Sequence, residues 1–423
     1  MKILVLGSGA REHAIILALL SEEAGHEILA APGNAGIGRD ATLVDLDAND
    51  PAAVTSFANA ENVDLVVIGP EAPLVAGVAD TVRAHGIPVF GPGKAAAQLE
   101  GSKAFAKRIM EAAGVPTGRA LRARTRAEVE AAIDELGSPY VVKADGLAAG
   151  KGVIVTDDRA SALAHADTYL PSGPVLVEEF LSGPEVSLFF LSDGDRVLPL
   201  SPAQDFKRLG DGDSGPNTGG MGAYSPLPWL LERFGGEDAF VDLVTREVAE
   251  PVIRQLDAEG TPFIGLLYAG LILTDTGVKV IEFNARFGDP ETQVVLPRLV
   301  DPLSELLLAA ASGHLEDRAR PAFADAVAVT VVLASEGYPS SPLTGRPLAG
   351  LDAAASVEGV HLAHAATALE GDHLVATGGR VLNVVGLGTT FAEARERTYR
   401  ALGHIELAGG QFRTDIAARV VEH

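Results

Sequence analysis

Short apolar runs alternate with longer amphipathic stretches through the first hundred positions of the chain. "KILVLG" reads as a buried strand running into a glycine turn, and "AREHAIILALLSEE" as a helix. "EILAAPGNAG", "VDLVVIGPEAPL" and "GIPVFGPG" are three more strands ending in loops, followed by the helix "KAAAQLEGSKAFAKRIMEAAG". Buried strands alternating with helices predict a parallel, doubly wound sheet. Such sheets bind ligands beyond the carboxyl ends of their strands, where "GSGAREH", "APGNAG", "GPEAPL" and "GPGK" fall here.

From about Arg119 the pattern changes. Helix "TRAEVEAAIDELG", a strand–loop–strand, helix "ASALAHADTYL" and two kinked strands in "PVLVEEFLSGPEVSLFFLS" predict a small α+β unit over about 120–190. "QDFKRLGDGDSGPNTGGMGAYSP" follows, 23 polar, glycine-rich residues with little periodicity. Its length and glycine clusters suggest an ordered loop that wraps a ligand. Helix "FVDLVTREVAEPVIRQLDAEG" leads to strands "FIGLLYAGLIL" and "VKVIEFNARFGDPET". "DAVAVTVVLAS", "GRVLNVVGLG" and helix "TFAEARERTYRAL" predict a separate small α+β domain at the end. The expected fold class is therefore multidomain α/β and α+β, in three units: 1–101, 102–321 and 322–423.

Composition narrows the function. A formal charge of −24 argues against a nucleic-acid binder, which needs a basic face. The absence of cysteine excludes disulfides and thiolate metal sites. The first apolar run is short and glycine-broken, unlike a secretion signal, and no 18-residue apolar run suggests a membrane span. A cytoplasmic location is the expectation. Arg outnumbers Lys by 25 to 8, so the lysines kept inside glycine-rich motifs stand out. A compact ammonium suits a buried phosphate oxygen in a way that Arg does not reproduce.

"KADGLAAGKGV" places Lys143, Gly146, Gly150, Lys151 and Gly152 between two strands. Its spacing is not that of a P-loop, and the strand that follows is not a helix. A strand–loop–strand hairpin able to fold over phosphates remains, beside the plain reading of a surface turn. At the first loop, Gly7 and Gly9 begin a dinucleotide fingerprint that Glu12 breaks. In "KVIEFNARFGDPE", alternation puts Glu282 and Asn284 on one face, with Ile281 and Phe283 on the other. A carboxylate and an amide oxygen two residues apart suit a hard cation such as Mg²⁺, and Arg286 beyond them suits a phosphate oxygen. An ordinary half-exposed strand would show the same pattern. In "VLVEEFLSGPE", Glu178 and Glu179 flank a strand end, Phe180 and Leu181 can line an adenine slot, and Glu185 can accept from ribose hydroxyls. A charged turn is the alternative. His361 and His364 lack an evident third ligand for zinc, and no G-x-S-x-G elbow appears.

The joint occurrence of "APGNAG", "GPEAPLV", "QLEGSKAF", "KADGLAAGKGVIV", "GPNTGGMGAYSP", "GLLYAGL" and "EFNARFGDPETQ" resembles the glycinamide ribonucleotide synthetase family of the ATP-grasp superfamily, over essentially the whole chain. The resemblance implies an early ligation of purine synthesis: glycine joined to 5-phosphoribosylamine through glycyl phosphate, with ATP and Mg²⁺ or Mn²⁺. It implies a pre-ATP-grasp first domain, an ATP-grasp domain with a lid, and a small last domain. Lys143 and Lys103 would then reach ATP phosphates, and Lys151 would sit at the tip of the lid hairpin. Arg286 and the amides of Gly219, Gly220 and Gly222 would stabilise the transferring phosphoryl group. Asp205, Lys207, Arg208, Asn217 and Thr218 would meet substrate, with Asp205 and Lys207 among the catalytic residues. Arg11, Glu12, Asn34 and Glu71 would hold the ribose phosphate. The chain is expected to act as a monomer on small molecules, with neither nucleic acid nor membrane. Departures from the family pattern are Ser8 and Ala10 for Asn and Gly, Phe206 for His, and Ala285 where some relatives have Cys.

Overall fold

The computed structural model describes residues 1–146 and 152–421. Strands β1 (Lys2–Gly7), β2 (Glu27–Pro32), β3 (Thr42–Leu43), β4 (Leu65–Ile68) and β5 (Val89–Phe90) form one parallel sheet in the order β3–β2–β1–β4–β5. In β1, Leu4 and Leu6 enter one hydrophobic cluster and Ile3 and Val5 another. Both faces are covered, so the strand reads as an unbroken apolar run. The doubly wound expectation is met.

The lid is a four-stranded antiparallel sheet of β6 (Ala120–Ala123), β7 (Tyr140–Ala144), β8 (Val153–Thr156) and β9 (Val175–Glu178), ordered β6–β9–β7–β8. Thr125 and Asp158 cap its two helices, Arg126–Leu136 and Arg159–Tyr169. Val129, Ile133, Val142, Leu163 and Val177 belong to a core of its own. The lid ends earlier than 190. The next strand, β10 (Glu185–Asp193), pairs along its full length with β16 (Ile264–Thr274) in the central sheet, ordered β11 (Val197–Pro199)–β10–β16–β17 (Gly277–Asn284). Apolar runs on both sides of the "SGPE" turn look alike in sequence; only pairing assigns them to different sheets.

The long polar segment, expected as an ordered loop, is built largely of short strands. It holds β12 (Gln204–Asp205), a hairpin of β13 (Arg208–Gly210) and β14 (Ser214–Asn217), and β15 (Gly222–Ser225). Nor is the last unit self-contained. Its strands β18 (Val327–Ala334), β20 (Val360–His364) and β23 (Arg380–Gly388) continue a sheet ordered β12–β15–β18–β23–β20. A second sheet, of β19 (Arg346–Ala349), β21 (Thr367–Glu370), β22 (His373–Ala376) and β24 (Glu406–Leu407), lies beside it. One core cluster runs from Leu4 through Phe283 to Leu402. No helix among the described residues is long and apolar enough to cross a membrane.

Candidate active site

The lid and central sheet meet over a group of lysines. Lys143, at the end of β7 and only 6% exposed, lies 2.9 Å from Glu178 Oε2 and 3.5 Å from the carbonyl of Ile281. Lys107 shares that carboxylate at 3.3 Å and donates to Thr117 Oγ1 and the Gly118 carbonyl. Burial comes first in lowering the pKa of Lys107, with Lys143 adding to it and Glu178 opposing. The sequence reading passed over Lys107, although it lies one helical turn after Lys103, where side chains share a face. Lys103 reaches the Gly146 carbonyl at 3.2 Å. Asp145 accepts from Ser102 Oγ at 3.1 Å and from Ala104 N–H at 3.3 Å, docking the start of the lid loop on a helix amino terminus. Gly150 and Lys151 lie outside the described residues; Gly152 pairs its carbonyl with Ala144 N–H.

The acidic hinge follows β9. Glu179 accepts from Arg119 N–H at 3.0 Å, while Phe180 is exposed and Leu181 half-buried beside Gly118. An apolar edge beside a strand end is what an adenine slot needs, and here the Glu179 N–H already donates to the Arg119 carbonyl. Glu185 turns instead to Lys207, 2.6 Å away.

In β17, Glu282 pairs with Gly270 and Asn284 with Tyr268, so both project to the same side, as expected. The partner of that expectation fails: Val280, not Ile281, shares the core with Phe283, because Ile281 is the extra residue of a bulge. The bulge turns the Ile281 carbonyl toward Lys143. Burial would raise the pKa of Glu282, but Lys207, Lys143, Lys103 and Arg286 outweigh it and keep the carboxylate ionised. These hard oxygen donors fit a divalent cation. Four neighbouring cations would repel a bare ion, so the place suits a metal arriving with polyphosphate. Arg286 donates to Asn284 Oδ1 at 3.3 Å and lies 3.0 Å from Glu100 and 3.9 Å from Glu71. Burial opposes its charge, yet Glu100, Glu71 and Glu291 raise its pKa further. Glu100 also accepts from Ala285 N–H at 2.7 Å; no motif spacing marked it beforehand.

The third group surrounds Asp205 and Lys207. Tyr268 donates to Glu291 Oε1 at 2.7 Å, Ser187 to the same oxygen at 3.2 Å, and the two hydroxyls lie 2.8 Å apart. Burial, with Glu291 and Glu185 adding and Lys207 opposing, pushes Asp205 up to about 7. For Lys207, burial is outweighed by Asp205, Glu185, Tyr268 and Glu282, so its pKa lies well above the usual ammonium range. Its side chain keeps 36% of its surface. Phe206, between them, points the other way: its ring packs on the main core, beside Tyr224.

Several expected contacts are already spent inside the protein. Glu12 is 1% exposed, salt-bridges Arg11, and accepts from Gly9 N–H at 2.6 Å. A Cβ on Gly7 or Gly69 would collide with it. Its carboxylate thus occupies the anion position at this helix start. Arg11 Nη1 reaches the Phe287 carbonyl at 3.2 Å. Asn34 caps Gly36 and Ile37 and donates to the carbonyls of Ser8 and His364, leaving no amide group for a ligand. Glu71 alone of this set keeps an open side chain, held ionised against the effect of burial by its own backbone N–H, Arg286 and Arg11. Two of the glycine amides, those of Gly219 and Gly220, are also used. Gly219 N–H donates to Tyr338, Gly220 N–H to Thr218, and Gly222 pairs in β15 with Val331. Thr218 is tied to the Lys207 carbonyl, and Arg208 pairs with Asn217 while donating to the Gly215 carbonyl. Arg380, unmarked in sequence, clamps the Gly219 carbonyl to Asp289. His13 and His364 join the first and last units, with burial the leading cause that takes His364 down to about 3.

Comparison with known proteins matches this architecture part by part. Phosphoribosylglycinamide synthetase models match as an N domain over residues 1–100, an ATP-grasp (A) domain over 101–292 and a C domain over 328–419. A phosphoribosylamine–glycine ligase of Leifsonia xyli subsp. xyli is 70% identical over 422 residues, covering 99% of this chain and 100% of the relative. One from Streptomyces coelicolor is 57% identical, covering 99% of each chain. The crystal structure of a phosphoribosylamine–glycine ligase from Thermotoga maritima superimposes with a TM-score of 0.81 at 33% identity, over 98% of this chain and 100% of that one. A biotin carboxylase domain from Hydrogenobacter thermophilus, at 17% identity and a TM-score of 0.68 over 97% of this chain and 91% of that one, shares the fold. With matches along its whole length, the chain belongs to the phosphoribosylglycinamide synthetase family of ATP-grasp ligases.

Proposed function

We propose that the cleft between lid and central sheet is where this chain couples ATP cleavage to the ligation of glycine with 5-phosphoribosylamine, giving glycinamide ribonucleotide, ADP and phosphate. The supporting observation is that the positive charges of Lys207, Lys143, Lys103 and Arg286 together keep the Glu282 carboxylate ionised against burial. A carboxylate is a poor electrophile. Transfer of the γ-phosphoryl group to the glycine carboxylate makes an acyl phosphate; the ribosylamine nitrogen then attacks the acyl carbon and phosphate leaves. The protein's part in such a transfer is charge neutralisation and positioning.

Lys103 and Lys143 hold phosphate oxygens, exchanging the Gly146 carbonyl and Glu178 for them. Glu179, Phe180 and Leu181 border the adenine, and Glu185 the ribose. Glu282 and Asn284 hold Mg²⁺ or Mn²⁺, which supplies Lewis-acid neutralisation of the phosphates. Arg286 steadies the transferring group, and Lys207, poised by Asp205, holds the carboxylate that accepts it. Glu71 is the first-domain residue placed to meet phosphoribosylamine. The lid excludes water from the acyl phosphate. The reading includes a monomer working in the cytoplasm. A coupled ADP-release assay with glycine or alanine, each with and without phosphoribosylamine, tests it: sustained release is expected only with glycine plus the amine. Equal release with alanine would overturn the substrate assignment.

A further inference from the structure

Arg413, far along the chain, is among the largest fully buried side chains, at 1% exposed. A buried guanidinium is tolerated only when its donors are met. Here Nε and Nη2 reach the two oxygens of Asp415 at 2.8 and 2.7 Å. Nη1 reaches Asp213 at 2.8 Å and the Arg208 carbonyl at 3.2 Å. The guanidinium carbon lies 4.8 Å from the centre of the Phe206 ring. Neighbouring groups repeat the attachment: Thr414 N–H donates to Asp211 at 2.7 Å, and Gly212 N–H to Asp415 at 2.8 Å. The closing segment therefore grips both the β13–β14 hairpin and the residue between Asp205 and Lys207.

Phe206 is held in two ways. Its N–H donates to the Gly222 carbonyl and its carbonyl accepts from Met221 N–H, both from the β15 side. Its ring rests under Arg413. β12 ends at Asp205, but these backbone bonds carry its pairing on to Phe206, so with neighbouring side chains projecting to opposite faces, fixing residue 206 from behind constrains the direction of the flanking residues 205 and 207. We propose that Arg413 is a positioning residue for the ligation: acting through Phe206 and the Arg208 carbonyl, it sets where Asp205 and Lys207 project into the cleft. This rests on the reading that Lys207 works on the reacting groups. The lysines assigned to ATP phosphates, Lys103 and Lys143, lie on other elements.

The test combines Arg413→Met and Arg413→Lys with Lys207→Ala, measuring kcat, KM for each substrate, and Tm. Arg413→Met is expected to lower kcat about tenfold, with KM for ATP within about twofold, a loss of geometry rather than of nucleotide binding. Arg413→Lys, which keeps the charge but neither the fork nor the stacked plane, should recover less than about threefold. In the Lys207→Ala background, Arg413→Met should cost less than about a further twofold, because the residue it positions is gone. Additive losses, or a folded Arg413→Met enzyme with unchanged kcat, would overturn the proposal. Should Lys207→Ala itself leave kcat intact, the reading of the site falls and the proposal with it. Should Arg413→Met fail to fold, Phe206→Leu removes the ring and leaves the ion pairs. The same kcat loss, absent from the Lys207→Ala background, supports the proposal; unchanged kcat overturns it.

Discussion

Lys143 and Lys107 hold one carboxylate between them, and this separates binding from folding at a single position. Removing Lys143 leaves Glu178 its second cation, so Lys143→Ala should fold. It should weaken ATP at least about tenfold, the scale of one charge-assisted hydrogen bond. Lys143→Arg should rescue little, since a longer planar fork does not fit a site built for a point charge. Nucleotide titration checks both, and wild-type affinity in the Ala variant would remove the phosphate role. Glu282→Gln keeps size and an oxygen but not the charge. It should raise the Mg²⁺ concentration needed for half activity at saturating ATP and glycine, whereas an ordinary outward-facing strand residue would leave that curve unchanged. Asp205 carries a pH signature. Its folded-state pKa, about 7, lies above the unfolded carboxylate value, so the folded state binds more protons between the two and loses stability as pH rises through that window. Lys207, Glu185 and Glu291 face it. Asp205→Asn cannot ionise, so without nucleotide or metal its Tm relative to the parent should climb from pH 5 to pH 8 while turnover falls. A flat difference would show that Asp205 titrates normally.

At the scale of elements, the lid is a unit with a core of its own. It meets the rest through polar contacts such as Asp145 on Ser102, Lys107 on Glu178, Lys143 on the Ile281 carbonyl, Lys103 on the Gly146 carbonyl and Lys279 on Glu179. Polar contacts of this kind open more cheaply than buried apolar ones. Amide hydrogen exchange should therefore be faster in β7 and β9 than in β16, and ATP with Mg²⁺ should slow β7 and β9 selectively. Equal protection with and without nucleotide would mean a fixed lid. The sequence marked this unit because its capped amphipathic helices are local patterns. It set the far boundary too late, because β10 is as apolar as β9 and only hydrogen bonding to β16 places it in the central sheet.

For the whole molecule, the last unit completes a sheet that reaches the site. β18 pairs with β15, β15 with β12, and Asp205 lies in β12. Deleting residues 322–423 would expose the buried flank of β15 and leave Asp213 and Asp289 without Arg413 and Arg380. The truncated chain should lack ligase turnover and lose the cooperative melt of the full chain; a folded, active truncation would contradict the shared sheet. The sequence by itself determined the parallel first domain, the lid, the lysine hairpin, the same-face pair Glu282 and Asn284, and the family. Each of these is carried by residues close together in the chain, where periodicity and spacing are physical constraints. Tertiary structure alone decided which polar groups are free. Glu12, Asn34 and the amides of Gly219 and Gly220 look like ligand contacts in sequence, but partners inside the fold have already claimed them. It also brought in Lys107, Glu100, Tyr268, Arg380 and Arg413, whose partners lie on other elements. A hydrogen bond is made once, and which group claims it depends on distances in space that no spacing along the chain records.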